Sequence, residues 1–246
     1  MGKANLEPRA TGLGALAAEP VMMSSTQDDG APQIVEWADG VTWIAEPGKP
    51  IQRASHALLG DDGVWIVDPV DVEEIHAEID ALGDVAGVTV LIDRHKRDAS
   101  AFARRYDVPV YVPTVLGDAL DDAGVPVETF EGGLGRSGYR SRPVVSNRIW
   151  REAALVSHGG KTVVVPEALG RNDFCRAPDE RVGVHPGLRL WPPRQQLGDL
   201  DPERLLVGHG PPLGEDAGAA IQDTLAGARR RAPRAFLRMV TSLARS

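Results

Sequence analysis

A chain of 246 residues, 42% hydrophobic and 25% charged, has the composition of one ordinary globular domain long enough to bury a substantial core. Its formal net charge of -8, from 35 acidic against 27 basic residues, speaks against bulk attraction to nucleic acid. A single cysteine, Cys175, excludes an intrachain disulfide and a cysteine-rich zinc site, and no apolar run approaches the roughly 20 residues that cross a bilayer.

Residues 1–31 are rich in Ala, Gly, Pro and Ser without a sustained period, and are expected to be a disordered leader. They lack a charged start, an unbroken apolar stretch and a cleavage site, which makes the cytoplasm the expected location. From Ile34 the pattern turns to β: Ile34-Val35-Glu36-Trp37 and Val41-Thr42-Trp43-Ile44 flank a Gly-containing turn, and residues 54–59 and 64–67 flank Gly60-Asp61-Asp62-Gly63. Asp68-Pro69 stops that strand. Asp71 with Glu74 three residues on reads as a capping box for a helix with Val72, Ile75, Ile79 and Leu82 on one face. His76 lies beside that face and reads as a packing residue.

Val88-Thr89-Val90-Leu91-Ile92 is an apolar run of the kind found in buried parallel strands. It ends in the polar turn Asp93-Arg94-His95-Lys96-Arg97-Asp98, and residues 99–106 carry a short helical pattern. Strand, polar turn, helix is where α/β proteins place ligands, at the carboxyl end of a strand. Residues 108–113 read as the next strand, 115–123 as a helix and 125–130 as β again. Gly132-Gly133-Leu134-Gly135 is a loop without the spacing or the following Lys of a phosphate loop.

Strand patterns follow at 141–145, 153–157 and 162–165, with His158-Gly159-Gly160-Lys161 as an exposed turn between the last two. Residues 171–189 are irregular. Leu205-Leu206-Val207 is a strand with Gly208-His209-Gly210 at its carboxyl end. Residues 215–231 read as a helix ending before Pro233, and 235–244 as a separate amphipathic one. The expected division is therefore leader 1–31, domain 32–231 and C-terminal amphipathic helix 232–246. Arg229-Arg230-Arg231 and Arg234 suit a helix carboxyl end and lack the interleaved aromatics of a nucleic-acid surface. The partner expected is a small molecule, neither nucleic acid nor membrane.

This order, hairpins, a strand ending in a His/Asp turn, more hairpins and a strand ending in Gly-His-Gly, resembles the metallo-β-lactamase fold superfamily from Ile34 to about Arg231. The resemblance is carried by Asp39-Gly40-Val41-Thr42-Trp43-Ile44, the run from Asp62 to Asp68, residues 155–169 and Leu206-Val207-Gly208-His209-Gly210-Pro211. It implies an α/β fold, an αββα four-layer sandwich with metal ligands on loops along one edge. It also implies hydrolysis of esters, thioesters, amides or phosphodiesters, usually with zinc. There, imidazoles and carboxylates leave a metal position open for water, whose pKa the metal lowers.

The family's His-x-His-x-Asp-His motif falls on Asp93, His95, Arg97 and Asp98, so one histidine survives and Arg97 takes the aspartate's place. A guanidinium cannot be deprotonated or coordinate a cation. A further family histidine falls near Asn147 or Arg148 and is absent, the bridging aspartate is matched by Glu167, and the last histidine by His209. Two readings stand. In one, His95, Asp98, Glu167 and His209, with Asp93 in reserve, hold one divalent metal, zinc or manganese, for hydrolysis. In the other, the pocket holds no metal, and Arg94, Arg97 and Arg148 turn it towards an anionic small molecule.

Overall fold

The computed structural model describes residues 30–120 and 122–244. Apart from its last two positions, the expected leader lies outside the described residues. The first sheet takes its seven strands in chain order: β1 (Gln33–Trp37), β2 (Gly40–Ile44), β3 (Ala54–Gly60), β4 (Gly63–Val67), β5 (Val85–Thr89), β6 (Val110–Pro113) and β7 (Val127–Phe130). β1 to β4 are antiparallel, whereas β4 to β7 are parallel. The change comes at β4 because the chain then returns through helical crossovers, α1 (Ile75–Leu82) and α2 (Ala99–Tyr106).

The second sheet contains β8 (Tyr139–Ser146), β9 (Arg151–Ser157), β10 (Thr162–Val165) and β13 (Arg204–Val207), in the order β13-β10-β9-β8 with β10 and β13 parallel. Between β10 and β13 lie a two-residue ribbon, β11 (Leu169–Gly170) with β12 (Gly183–Val184), and the one-turn α3 (Arg194–Leu197). The chain closes on α4 (Ala217–Leu243), about 40 Å long.

Strand periodicity sorts the core into three. Val64 and Ile66 of β4 pack against Ile75, Ile79 and Phe102 of the helices. Trp65 and Val67 face the other way, onto Leu155, Val164 and Leu206 of the second sheet. Val163, Val165, Leu205 and Val207 then meet Leu197, Ile221 and Leu225 beyond it. Helices, sheet, sheet, helices: the four layers are those expected, and burial on both faces explains why the strands read as unbroken apolar runs.

Four expectations are corrected. The strand expected at 88–92 is paired at 85–89 instead, while Leu91 and Ile92 cross to the second sheet, where Ala153 N–H donates to Leu91 O at 2.9 Å. Residues 115–123 form no α-helix among those described, only a 3-10 turn at Thr114–Leu116. Asp71 caps nothing: its carboxylate accepts from His76 Nε2 at 2.8 Å, and His76 is buried against Phe102, as a packing residue should be. Lastly, α4 runs through Pro233 without a break. Ion pairs flank the proline on both sides, Arg231 to Asp223 and Asp179, Arg234 to Asp179, and Arg238 to Asp173. Residues 232–243 therefore continue α4 and do not form a separate helix. The loop 132–135 also has a structural job, since Leu134 is fully buried between the sheets.

Candidate functional site

Parallel strands bring their carboxyl ends to one edge, and four such ends meet here. β4 ends in Asp68, the β5 run in the 93–98 turn, β10 in Pro166-Glu167 and β13 in Gly208-His209. His95 is the hub. Its Nδ1 lies 3.6 Å from Asp68 Oδ2, its Nε2 lies 3.9 Å from Glu167 Oε2, and its ring meets that of His209 edge-on with 5.2 Å between centroids.

Arg97 runs through the middle of this edge. Its Nη1 donates to Ala54 O at 2.6 Å and Asp68 O at 2.7 Å, and its Nη2 donates to Gly208 O at 3.1 Å. Those carbonyls belong to β3, the end of β4 and the end of β13, so one guanidinium ties the two sheets together at the mouth. Both Arg97 (φ 41°) and Asp68 (φ 45°) adopt left-handed backbone, which costs a non-glycine residue about 1 kcal/mol or more. Each strained residue is held in part by the bond to the other. Burial lowers the Arg97 pKa to about 10, opposed by the charge of Asp68, and the guanidinium stays protonated near neutrality.

The surrounding groups are pushed towards their neutral forms. Burial raises Asp68 to about 6, with Arg97 pulling the other way. It raises Glu152 to about 7 and lifts Glu167 above the ordinary carboxyl value. Burial also lowers His95 and His209 well below the usual imidazole value, with Arg97 adding to both, and takes His185 to about 4 and His56 to about 3. His209 Nδ1 donates to Ile51 O at 3.0 Å, so its neutral ring has Nε2 unprotonated. Glu167 is set in place from behind: Glu152 Oε1 accepts from the backbone N–H of Glu167 at 3.0 Å and of Ala168 at 2.8 Å.

Of the expected site residues, His95, Glu167, His209 and Arg97 are brought together. Asp98 is not with them, because its carboxylate accepts from Asp71 N–H at 2.8 Å. Asp93 turns to β9, accepting from Arg151 N–H at 3.0 Å. Arg148 is exposed in the β8–β9 turn and makes no hydrogen bond or ion pair with the pocket. Arg94 lies at the rim, stacked on Trp150 at 4.5 Å, donating to Ile149 O at 2.8 Å and 3.7 Å from Glu167 Oε2. The site also contains residues that the sequence does not announce: His185, whose Nε2 lies 3.5 Å from Glu167 Oε1, and the buried Asp68 and Glu152. The strand-terminal position of Asp68 is a local signal; nothing local distinguishes His185 or Glu152. Among the described residues no group of three or more His, Cys, Asp or Glu side chains is arranged to hold a metal ion.

Solved structures share this architecture. A putative diflavin flavoprotein A 5 fragment from Nostoc sp. PCC 7120 superposes with a TM-score of 0.55 at 16% identity, covering 81% of this chain and 97% of that one. The fold is that of the metallo-β-lactamases. TMB-1, described for its substrate and inhibitor binding, aligns with a TM-score of 0.54 at 11% identity over 83% of this chain and 98% of its own. A metallo-beta-lactamase from Pontibacter korlensis aligns at 0.52 and 11% over 82% and 99%. At such identities the likeness is one of fold, and the chain is a divergent holder of it. No family model matches the sequence, and no curated protein matches it.

Proposed function

We propose that this chain uses the metallo-β-lactamase fold without the metal, as a hydrolase-like protein whose pocket binds an anionic small molecule. The observation that carries the reading is the Arg97 guanidinium, bonded to Ala54 O, Asp68 O and Gly208 O among the groups that would have to surround a cation. The residues do not fit a divalent ion. Two like charges about 4 Å apart repel by several kcal/mol at protein-like dielectric, and Asp98 and Asp93 are engaged elsewhere. Arg94, two-fifths exposed at the rim with Nη1 unbonded, is the guanidinium left to meet an anion beside Glu167 and His185. Of the other two, Arg97 acts only through its charge, and Arg148 sits outside in the turn.

The test is metal analysis of the purified chain, before and after incubation with zinc or manganese, alongside thermal shifts with the metals and with small carboxylates and phosphates. The expected result is no stoichiometric metal, no metal-dependent hydrolysis, and stabilisation by anions that Arg94→Ala abolishes. Stoichiometric zinc with ester, thioester or phosphodiester hydrolysis would overturn it in favour of a single-metal hydrolase using His95, Glu167 and His209.

A further inference from the structure

A second concavity, of about 410 Å³, lies between the 45–53 segment, the 171–176 segment and Ser242 in the last turn of α4. None of the residues gathered around Arg97 lines it. Its charged lining is Lys49, Arg171, Arg176 and Asp173, and three prolines, Pro47, Pro50 and Pro211, supply apolar wall.

The charges in and around this cleft do not balance. Glu46 accepts from both Lys49 and Arg53, and Asp173 accepts from both Arg176 and Arg238. Among the described residues Arg171 has no carboxylate partner; its Nε and Nη1 donate to the carbonyls of Arg181, Pro211 and Pro212. Five cations thus share two carboxylates, on a chain whose overall charge is -8. Burial lowers the Arg171 pKa, and the charges of Arg176 and Arg181 lower it further. Among the described residues Arg176 Nε is buried without a hydrogen-bond partner. An excess of cations with unspent donors around a concave surface is the arrangement an anion completes.

We propose that this cleft binds the phosphate group of a small phosphate monoester. Two planar guanidinium forks and one ammonium match a doubly charged group with three acceptor oxygens better than a singly charged carboxylate. The volume is in the range of pockets that hold small organic molecules, about 300–1,000 Å³, so the phosphate is carried on a body that the prolines contact. The proposal goes beyond the pocket reading and does not depend on it.

The experiment is isothermal titration of the full chain with phenyl phosphate, with benzoate and inorganic sulfate as comparators. The expected outcome is one site per chain, preferring phenyl phosphate over both comparators, and weakened roughly tenfold by Lys49→Gln and by Arg176→Gln. Lys161→Gln, which removes one positive charge from an exposed site elsewhere, leaves the binding unchanged. Lys49 is itself exposed, so its substitution tests the cleft without threatening the fold. Absence of binding at millimolar phenyl phosphate, equal binding of benzoate, or indifference to both cleft substitutions would overturn the proposal. Metal found at the Arg97 site would overturn the pocket reading alone and leave this binding intact.

Discussion

Arginines stand at two neighbouring places in this molecule and do different work in each. Arg97 spends both terminal nitrogens on backbone carbonyls and sits where three strand ends converge. Arg171 and Arg176 line an open cleft where, among the described residues, cations outnumber the carboxylates that pair with them. The residue type is the same. What separates them is where the fold leaves the guanidinium, closed in between strand ends or on the wall of an open cleft, and that follows from packing.

The most deeply buried arginine sets the upper end of this scale. Arg189 is inaccessible to solvent and pairs with the equally inaccessible Glu180 at 2.6 Å, while donating to Cys175 O at 2.5 Å. Arg189→Met strands the Glu180 carboxylate and is expected to cost about 3–5 kcal/mol in urea denaturation. Arg97→Ala comes next, at about 2–4 kcal/mol, since it frees carbonyls of both sheets and a strained backbone at Asp68. A loss below about 1 kcal/mol would mean that Arg97 is not the tie between the sheets, and the contrast with the cleft would collapse.

A third expectation concerns pH. Burial holds His56, His95, His185 and His209 below the ordinary imidazole value. The folded state therefore refuses protons that the unfolded chain accepts below about pH 6.5, and stability is lost as pH falls. Asp68, Glu152 and Glu167 act in the opposite sense, because their raised values let the folded state take up protons first. The imidazoles outnumber these carboxyls. Net stability should drop by on the order of 1–2 kcal/mol per unit between about pH 6 and 5, measurable as a falling denaturation midpoint. A midpoint constant over that window would show that the imidazoles are hydrated in the native state. The smallest effect is expected at the rim: Arg94→Ala removes a guanidinium stacked on Trp150 and should cost under about 1 kcal/mol, as read by thermal denaturation.

The sequence by itself determined the strands and the edge they end on, while the layers came with the family resemblance. The apolar runs of β4, β10 and β13, hairpin turns at Asp39-Gly40 and Gly60-Asp61-Asp62-Gly63, and the strand-end turns that carry His95 and His209 are local matters of pattern and turn chemistry, legible without neighbours. Tertiary structure decided the rest. The destination of Arg97 depends on a carbonyl 111 residues away, and His209 is fixed by one 158 residues away. His185 reaches Glu167 through an irregular segment, Pro233 stays inside a continuous helix, and the basic cleft exists only where the 45–53 segment, the 171–176 segment and the end of α4 come together. Local forces choose strands and turns, but the partner of a charged side chain is chosen by which surfaces the two sheets and the last helix press together.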